Sequence, residues 1–200
     1  MKWIRGETFD LTLKSAPRAV LLRHLRDACR ALHFAHERGV IHRDLKPTNL
    51  MTGELGELYV LDWGLAKLRN DPEEIDRPIQ DASGAVATRE GSVLGTIGYM
   101  APEQLRGDTD VDARADVYSL GPLLYEALAG APLHGGSKAK AALSLLKTDG
   151  ARPGETDPSR EISAGLDFAC YHATRVDPAD RFADAATLAA HLDRALSEMG

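Results

Sequence analysis

A single, mainly α-helical domain with one small β-hairpin, a member of the α+β class, is the fold that this sequence predicts. The chain has 200 residues, which is the size of one ordinary domain. Apolar residues recur at helical spacing in several segments, and two short apolar runs flank Gly53 and Gly56 in the pattern of a hairpin. With 44% apolar and 27% charged residues, the composition can build a core and argues against global disorder.

The first long helix is predicted over residues 17–38. Pro17 suits a first helical turn, and Gly39 provides a stop. The polar residues around Pro47 predict a loop after this helix. The apolar positions of the helix recur every three or four residues and share one face: Leu21, Leu25, Ala28, Leu32 and Ala35.

Two strands, at residues 49–52 and 58–61, are predicted to form the hairpin that follows this loop. Residues 69–92 are polar and show almost no periodicity. A long loop of this kind inside a compact domain is usually functional or disordered. We therefore expect a functional or disordered segment between the hairpin and the next helix.

The second half of the chain is predicted to be helical. Pro122 falls inside the first of its helices, where a proline removes a hydrogen bond and costs about 3 kcal/mol unless the helix kinks. The periodicity of apolar residues predicts four helices here: residues 115–129, 139–147, 163–174 and 184–197.

Charge and composition exclude several functional classes. The formal net charge of −6 argues against broad nucleic-acid binding, which needs a basic face. No apolar run approaches the roughly 20 residues that cross a bilayer, and residues 1–6 are predicted not to form a signal peptide. Cys29 and Cys170 are too few for a disulfide framework or a metal cluster. These features predict a protein of the reducing cytoplasm.

Residues 42–49 carry the most informative chemical pattern. Asp44 and Asn49 stand five positions apart on one predicted loop, and Asp62 follows the second strand. Oxygens of Asn49 and Asp62 suit Mg²⁺, which prefers oxygen ligands together with bound phosphate. Asp44 is then left to orient a hydroxyl group, and Lys46 can neutralise charge on a transferred phosphoryl group. The set predicts phosphoryl transfer, in which catalysis is mostly positioning and charge stabilisation.

These residues belong to a larger set of segments in which the sequence resembles the eukaryotic-type serine/threonine protein kinases. The segments occur in the order that the family has, and they cover almost the whole chain. The residues of the segment Gly95–Glu103 resemble those of the bacterial branch of that family. The five segments correspond to the catalytic loop, the metal-binding triplet, the end of the activation segment, the start of the central helix and the approach to the last helix: His42–Asn49, Asp62–Gly64, Gly95–Glu103, Asp116–Gly121 and Asp177–Phe182.

The resemblance implies ATP and Mg²⁺ as cofactors and a role for each matching residue. Asp44 would be the catalytic base, and Lys46 would contact the transferred phosphoryl group. Asn49 and Asp62 would bind Mg²⁺. Thr96 would form hydrogen bonds near Asp44 and Lys46. Lys46 and Thr96 together resemble serine/threonine rather than tyrosine kinases, so the expected substrate is a protein with a serine or threonine acceptor.

The resemblance also implies an adenine site. Met51 matches the apolar floor beneath the adenine, and Leu50 flanks it. The first residues, 1–4, resemble the hinge whose backbone meets the adenine edge, so Lys2 and Ile4 are predicted to contact the nucleotide.

Two further predictions concern regulation and stability. In the family, an arginine at the position of Arg43 usually meets a phosphate on the activation loop. Glu103 is expected to pair with Arg181 inside the lobe, where breaking one side of a buried pair costs about 3–5 kcal/mol. The candidate phosphorylation sites are three hydroxyl groups: Ser83, Thr88 and Ser92.

The sequence departs from the family in two respects. Trp63 replaces the usual phenylalanine of the metal-binding triplet. No glycine-rich phosphate loop and no lysine-bearing strand precede the catalytic loop. We therefore predict a truncated protein kinase domain over residues 1–200, consisting of the hinge and the large lobe, with an activation segment at 62–103. A small lobe would be encoded upstream or as a separate partner.

Two other functions remain open at this stage. One is a kinase-derived module that binds partners without turnover. The other is a small-molecule phosphotransferase of related fold, which shares the spacing of Asp44 and Asn49. Arg43, Lys46 and the Ala101–Glu103 segment favour a protein substrate over a small molecule.

Overall fold

The computed structural model describes residues 5–63, 67–68 and 97–199. Its helices are α1 (Phe9–Ser15), α2 (Arg18–His36), α3 (Pro102–Arg106), α4 (Arg114–Ala129), α5 (Lys138–Lys147), α6 (Pro153–Thr156), α7 (Ala164–Ala173) and α8 (Ala185–Met199). Its strands are β1 (Gly6–Thr8), β2 (Val40–Ile41), β3 (Leu50–Gly53), β4 (Leu58–Val60) and β5 (Lys67–Leu68). Short 3₁₀ turns cover Pro47–Asn49, Ile97–Tyr99, Pro158–Arg160 and Pro178–Asp180.

The predicted mainly helical fold is confirmed. α2, α4, α5, α7 and α8 are the five helices expected from the periodicity, with ends within two residues of the predicted ones. The sequence did not predict α1, α3 or α6. These three helices have seven, five and four residues, and segments this short carry little periodic signal.

The hairpin is also confirmed, and a third strand extends it. β3 and β4 are antiparallel, with Met51 opposite Tyr59. The unpredicted strand β1 pairs with the other edge of β3 and places Gly6 opposite Gly53. A Cβ atom on Gly6 would lie 2.1 Å from the carbonyl oxygen of Thr52, so only glycine permits this close approach.

The core surrounds α4, in which almost every side chain is buried. α4 packs against α2 and α7, and α8 packs along α2. Burying one large apolar side chain contributes roughly 1.5–3 kcal/mol, so this layer contributes substantially to the stability of the fold. The largest fully buried side chains come from the helices and the two ends of the catalytic loop: Phe9, Leu22, Leu25, Leu32, Leu45, Leu50, Tyr118, Leu120, Leu123, Leu124, Leu128 and Leu145.

Pro122 lies inside α4, which continues through it. A proline crowds the Cβ atom of the preceding residue when that residue is helical. Here the preceding residue is Gly121, which has no Cβ atom. A Cβ at Gly121 would also lie 2.5 Å from the Thr174 side chain. Glycine therefore allows both the proline and the close contact with the segment after α7.

The predicted ion pair between Glu103 and Arg181 is confirmed. Arg181 Nη1 and Nη2 each donate to one Glu103 carboxylate oxygen at 2.7 Å. The arginine also donates to the carbonyl oxygens of Arg114, Arg175 and Val176, and its side chain is 0% exposed. This pair therefore joins α3 to the segment before α8 with every guanidinium nitrogen bonded.

Cys29 and Cys170 are buried free thiols whose pKa burial raises well above the ordinary value. Among the helices that the structure describes, none combines the length and apolar character needed to span a membrane.

Candidate active site

The loop at residues 42–49 lies between two small ladders of backbone hydrogen bonds. β2 precedes the loop and pairs with β5, and the Pro47–Asn49 turn leads directly into β3. Within the loop, Leu45 and Pro47 are buried. The loop therefore has apolar anchors among its polar residues, which fix its path over the core.

Two predicted catalytic residues, Asp44 and Lys46, and one predicted metal ligand, Asn49, meet on this loop. Lys46 Nζ donates to Asp44 Oδ2 at 2.6 Å. Asn49 Nδ2 donates to the same oxygen at 3.2 Å and to the backbone carbonyl of Asp44 at 2.7 Å. The side chains of Asp44 and Lys46 are 12% and 17% exposed, so the pair is accessible at one side only. Both side-chain contacts are made to Oδ2, so neither of them occupies Oδ1 of Asp44.

The backbone before Asp44 is held by a carboxylate from the central helix α4. Asp116 is 0% exposed, and its oxygens accept hydrogen bonds from the N–H groups of His42 at 2.8 Å and Arg43 at 2.9 Å. His36, on α2, donates from Nε2 to Asp116 Oδ2 at 2.7 Å. Arg43 has a φ angle of 68°, a left-handed conformation that is unfavourable for a residue other than glycine. Asp116 therefore stabilises a strained turn beside the predicted base.

His42 connects this turn to the end of β4. Its Nε2 donates to the carbonyl oxygen of Leu61 at 2.9 Å, and its Nδ1 accepts from the N–H group of Asp44 at 3.3 Å. These two bonds require Nε2 to be the protonated nitrogen. The Trp63 ring lies 4.7 Å from the His42 ring, and its indole N–H donates to the Val60 carbonyl. The tryptophan that departs from the family pattern therefore packs against the catalytic loop.

The two predicted metal ligands lie at the start and the end of the hairpin. The N–H group of Leu61 donates to the carbonyl oxygen of Asn49 at 2.8 Å, which brings the following residue, Asp62, to the same end of the sheet. Asp62 is exposed and has a φ angle of 57°. Asn49 Nδ2 faces Asp44, so the two bonds to that residue do not use the amide oxygen of Asn49.

No three acidic, histidine or cysteine side chains gather into a metal site within residues 5–63, 67–68 and 97–199. The donor set of Asn49 and Asp62 fits Mg²⁺, which is usually held by one or two protein ligands together with phosphate oxygens and water.

The predicted adenine floor divides between the two faces of β3. Leu50 is 0% exposed and packs in the core, whereas Met51 is half-buried. The remaining predicted site residues lie outside the residues that the structure describes: Lys2, Ile4, Ser83, Thr88, Ser92 and Thr96.

Arg43, the predicted phosphate-binding residue, is half-buried beside Asp44. Its Nη2 donates to the carbonyl oxygen of Val111 at 3.3 Å. Its Nε is buried and has no hydrogen-bond partner within the described part of the chain.

Sequence reasoning missed several residues that shape the site. Asp116 was recognised only as the start of a helix, and His36 was assigned no function. Gln104 Nε2 donates to the carbonyl oxygen of Arg43 at 2.7 Å. Tyr99 donates to Glu126 Oε2 at 2.6 Å, and burial raises the pKa of both groups. The sequence carries no signal for the role of Asp116, because its burial, which makes an unpartnered charge costly, is evident only in the folded structure.

The groups gathered here, a carboxylate, an ammonium group and two side chains whose oxygens could hold a cation, are of the kinds that phosphoryl transfer uses. Comparison with known proteins agrees with this class: the protein kinase domain family matches residues 6–188. The chain therefore belongs to the protein kinase domain family.

Individual relatives are bacterial kinases. The serine/threonine-protein kinase PknB of Mycobacterium tuberculosis is 40% identical over 171 residues, which cover 85% of this chain and 25% of that protein. PknB of Mycolicibacterium smegmatis is 37% identical over 200 residues, covering 97% of this chain and 29% of the relative. The tyrosine-protein kinase MasK of Myxococcus xanthus is 37% identical over 217 residues, covering 99% and 31%. The chain thus spans between a quarter and a third of the length of these curated relatives.

Proposed function

We propose that this chain is the catalytic lobe of an ATP-dependent serine/threonine protein kinase. The observation that carries the proposal is the cluster of Asp44, Lys46 and Asn49 on a loop that a fully buried carboxylate, Asp116, holds by its backbone. A rigid backbone keeps the Asp44 carboxylate in contact with the Lys46 ammonium group, while the other carboxylate oxygen of Asp44 remains for substrate. Such positioning is the main contribution that a protein makes to phosphoryl transfer.

In the proposed reaction, Asp44 Oδ1 accepts a hydrogen bond from the substrate hydroxyl group and receives its proton. The hydroxyl oxygen forms a bond to the γ-phosphorus as the bond to the β–γ bridging oxygen breaks, and ADP leaves. Lys46 stabilises negative charge on the transferred group while it keeps Asp44 in place. When bound through Asn49 and Asp62, Mg²⁺ would neutralise charge on the nucleotide phosphates.

The nucleotide site is proposed from the family resemblance. Met51, half-buried on β3, would support the adenine, with Leu50 packed beneath it in the core. Lys2 and Ile4 would meet the adenine edge. A small lobe, in the same protein or as a separate partner, would cover the phosphates, and we expect the 200-residue chain alone to be a weak kinase.

A serine or threonine acceptor is favoured over the alternatives. The relatives include two kinases named for serine/threonine and one named for tyrosine. Lys46 and Thr96 match the serine/threonine pattern, and Lys46 contacts the base. The Ile97–Tyr99 turn is attached to α4 through Tyr99 and Glu126. An anchored segment of this kind offers a platform for a peptide, which a small-molecule phosphotransferase does not need.

We also propose that phosphorylation at Ser83, Thr88 or Ser92 supplies the negative charge that Arg43 lacks. The buried Nε of Arg43 supports this proposal. The cytoplasm is the proposed location, since ATP is available there and a reducing compartment suits two free thiols.

The test is phosphotransfer by the Asp44→Asn variant of the full-length protein that contains this chain. The variant keeps the shape of the side chain but removes the base, and general-base catalysis contributes about 10²–10⁴-fold. We expect kcat for a serine-containing peptide to fall in that range. The matched control is Asp108→Asn, which changes an exposed aspartate whose side chain forms its hydrogen bond and ion pair, among the described residues, with Arg106.

Equal rates for wild type and Asp44→Asn would contradict the assignment of the base. A wild-type protein that binds a partner but transfers no phosphate to any peptide would instead identify the non-catalytic binding module.

A further inference from the structure

Gln104 connects the end of the predicted activation segment to the peptide bond that precedes Asp44. The residue lies on the short helix α3, 61 positions from the catalytic loop in sequence. Its Nε2 donates to the carbonyl oxygen of Arg43 at 2.7 Å, and its Oε1 accepts from the N–H group of Ala101 at 3.2 Å. One carboxamide therefore joins two backbone groups from different parts of the site.

The orientation of this carboxamide is determined by its partners. A backbone carbonyl can only accept and a backbone N–H group can only donate, so the nitrogen must face Arg43 and the oxygen must face Ala101. Reversing the amide would place its oxygen opposite the Arg43 carbonyl oxygen and its nitrogen opposite the Ala101 N–H group, so that neither hydrogen bond could form. The bridge between Ala101 and Arg43 therefore has a single favourable arrangement.

The carbonyl group that Gln104 binds lies at the most constrained point of the loop. Arg43 has a φ angle of 68°, and its N–H group is already held by Asp116 Oδ1 at 2.9 Å. On the other side, the N–H group of Asp44 donates to His42 Nδ1 at 3.3 Å. The Arg43–Asp44 peptide unit thus has its carbonyl group held by Gln104 and its N–H group held by His42. Rotation of that unit would move the Asp44 carboxylate.

We propose that Gln104 is a positioning residue, which fixes the Arg43–Asp44 peptide and so aims the Asp44 carboxylate at the acceptor hydroxyl group. This inference deepens the proposed kinase function and rests on it. Because the same side chain binds Ala101, a shift of the activation segment at that residue moves the carbonyl group of Arg43 with it. Gln104 thereby makes the geometry of the base depend on the position of the segment that would receive the peptide.

The competing explanation is that Gln104 only caps α3. At the third position of a helix, a glutamate side chain can bind the N-cap N–H group as a glutamine does. Gln104→Glu therefore keeps the bond to Ala101 but replaces the donor to Arg43 with an acceptor. Gln104→Met removes both bonds at similar size. Arg106→Gln, on the same helix, is the matched control, since Arg106 is exposed and contacts Asp108.

Amide hydrogen exchange gives a readout that does not require turnover. In the full-length protein, Gln104→Glu is expected to accelerate exchange of the Arg43 and Asp44 N–H groups at least about tenfold, because local opening of the turn no longer has to break the bond from Gln104 to the Arg43 carbonyl group. The N–H groups of residues 118–121 and 123–125 in α4 should exchange as in wild type. Arg106→Gln should change neither region. Unchanged exchange at Arg43 and Asp44, or an equal rise in α4, would overturn the proposal in favour of a cap or a general loss of stability.

Steady-state kinetics complete the test. We expect Gln104→Glu to lower kcat by about tenfold, since misplaced reacting groups slow the chemical step, with KM for ATP and peptide changed by less than about twofold. An unchanged kcat beside altered exchange would overturn the positioning role. A wild-type protein without phosphotransfer would refute the kinase function itself, and the exchange result would still report whether Gln104 holds the loop.

Discussion

Asp116 and Arg181 are both buried charges with several hydrogen bonds, but they hold different parts of the molecule. Asp116 accepts from the backbone N–H groups of His42 and Arg43, next to the proposed base. Arg181 donates to both oxygens of Glu103 and to three carbonyl groups, those of Arg114, Arg175 and Val176. The Asp116 centre, formed by this residue and its partners, holds a loop. The Arg181 centre, formed by this residue and its partners, joins two helical regions.

The difference shows that the contacts that join the helical regions are separate from the contacts that position the proposed reactive groups. Arg181 and Glu103 bind each other and leave little capacity for other partners. Among the described residues, the Asp116 side chain binds two backbone N–H groups and the His36 ring, whereas the Asp44 and Lys46 side chains on the loop that it holds remain partly exposed. In the proposed reaction, Asp44 would keep one oxygen for substrate, because the side-chain bonds from Lys46 and Asn49 are made to the other oxygen. Rigidity at the active site therefore comes from main-chain contacts.

The largest expected effect on stability is at the Arg181 centre. Glu103→Gln would leave the guanidinium group of Arg181 buried without a compensating charge, which typically costs about 3–5 kcal/mol. Urea denaturation should show this loss in the free energy of unfolding. Replacing Glu103 and Arg181 together by leucine and methionine should recover part of it, because no buried charge then remains. A loss below 1 kcal/mol for Glu103→Gln would show that the pair is not a principal anchor.

Acid should weaken the Arg181 region through His134. Its Nε2 lies 3.1 Å from the hydroxyl group of Tyr118, whose ring lies 4.9 Å from the Arg181 guanidinium. Burial lowers the pKa of His134 from 6.5 to about 4. Between these values the unfolded chain binds a proton that the folded protein does not, so stability falls as the pH decreases from 6.5 to 4, by up to about 3 kcal/mol.

The measurement is the free energy of unfolding across this pH range for wild type and His134→Gln, which cannot titrate there. The difference between the two curves isolates His134 from the other acid-sensitive groups. Burial also lowers the pKa of His24 and His191, and these residues are unchanged in the variant. Parallel curves would mean that His134 is accessible to protons in the folded protein.

At the Asp116 centre we expect a smaller loss of stability than for Glu103→Gln, and a larger loss of kcat. Asp116→Asn replaces one carboxylate oxygen by an amide nitrogen that cannot accept from a backbone N–H group. Losing one hydrogen bond to a charged group costs about 1.5–3 kcal/mol. The released turn should lower kcat, whereas Glu103→Gln should leave kcat unchanged at temperatures where it is folded. Equal losses of kcat in the two folded variants would remove the distinction between the centres.

The smallest effect is expected for ion pairs on the surface. Arg30 and Asp193 join α2 to α8 at 2.8 Å, with side chains 56% and 41% exposed. Such exposed pairs contribute about 0–1 kcal/mol because water and salt screen them. Arg30→Ala should therefore change the free energy of unfolding by less than 1 kcal/mol in urea denaturation. A loss comparable to that of Glu103→Gln would show that burial is not what makes the Arg181 pair important.

Most of the fold could be predicted from local patterns. α2, α4, α5, α7 and α8 are long enough for apolar periodicity to identify them, and the hairpin follows from two short apolar runs around glycines. β1 could not be predicted in this way, since its three residues become a strand only by pairing with β3, about 45 residues later in the chain. The helix through Pro122 was predicted. That Gly121 accommodates both the proline and the close contact with Thr174, because it has no Cβ atom, became clear only from the packing.

The sequence by itself determined the family, through residue types at fixed spacing, and the resemblance to that family implied that Glu103 pairs with Arg181. The same resemblance predicted the residues that would bear the chemistry. The tertiary structure alone decided how those residues are held. Asp116 reaches Arg43 across 73 positions, and Gln104 reaches it across 61. Neither contact leaves a periodic or compositional trace, since a buried carboxylate and a carboxamide gain their roles only when the folded core brings distant backbone groups within hydrogen-bonding distance.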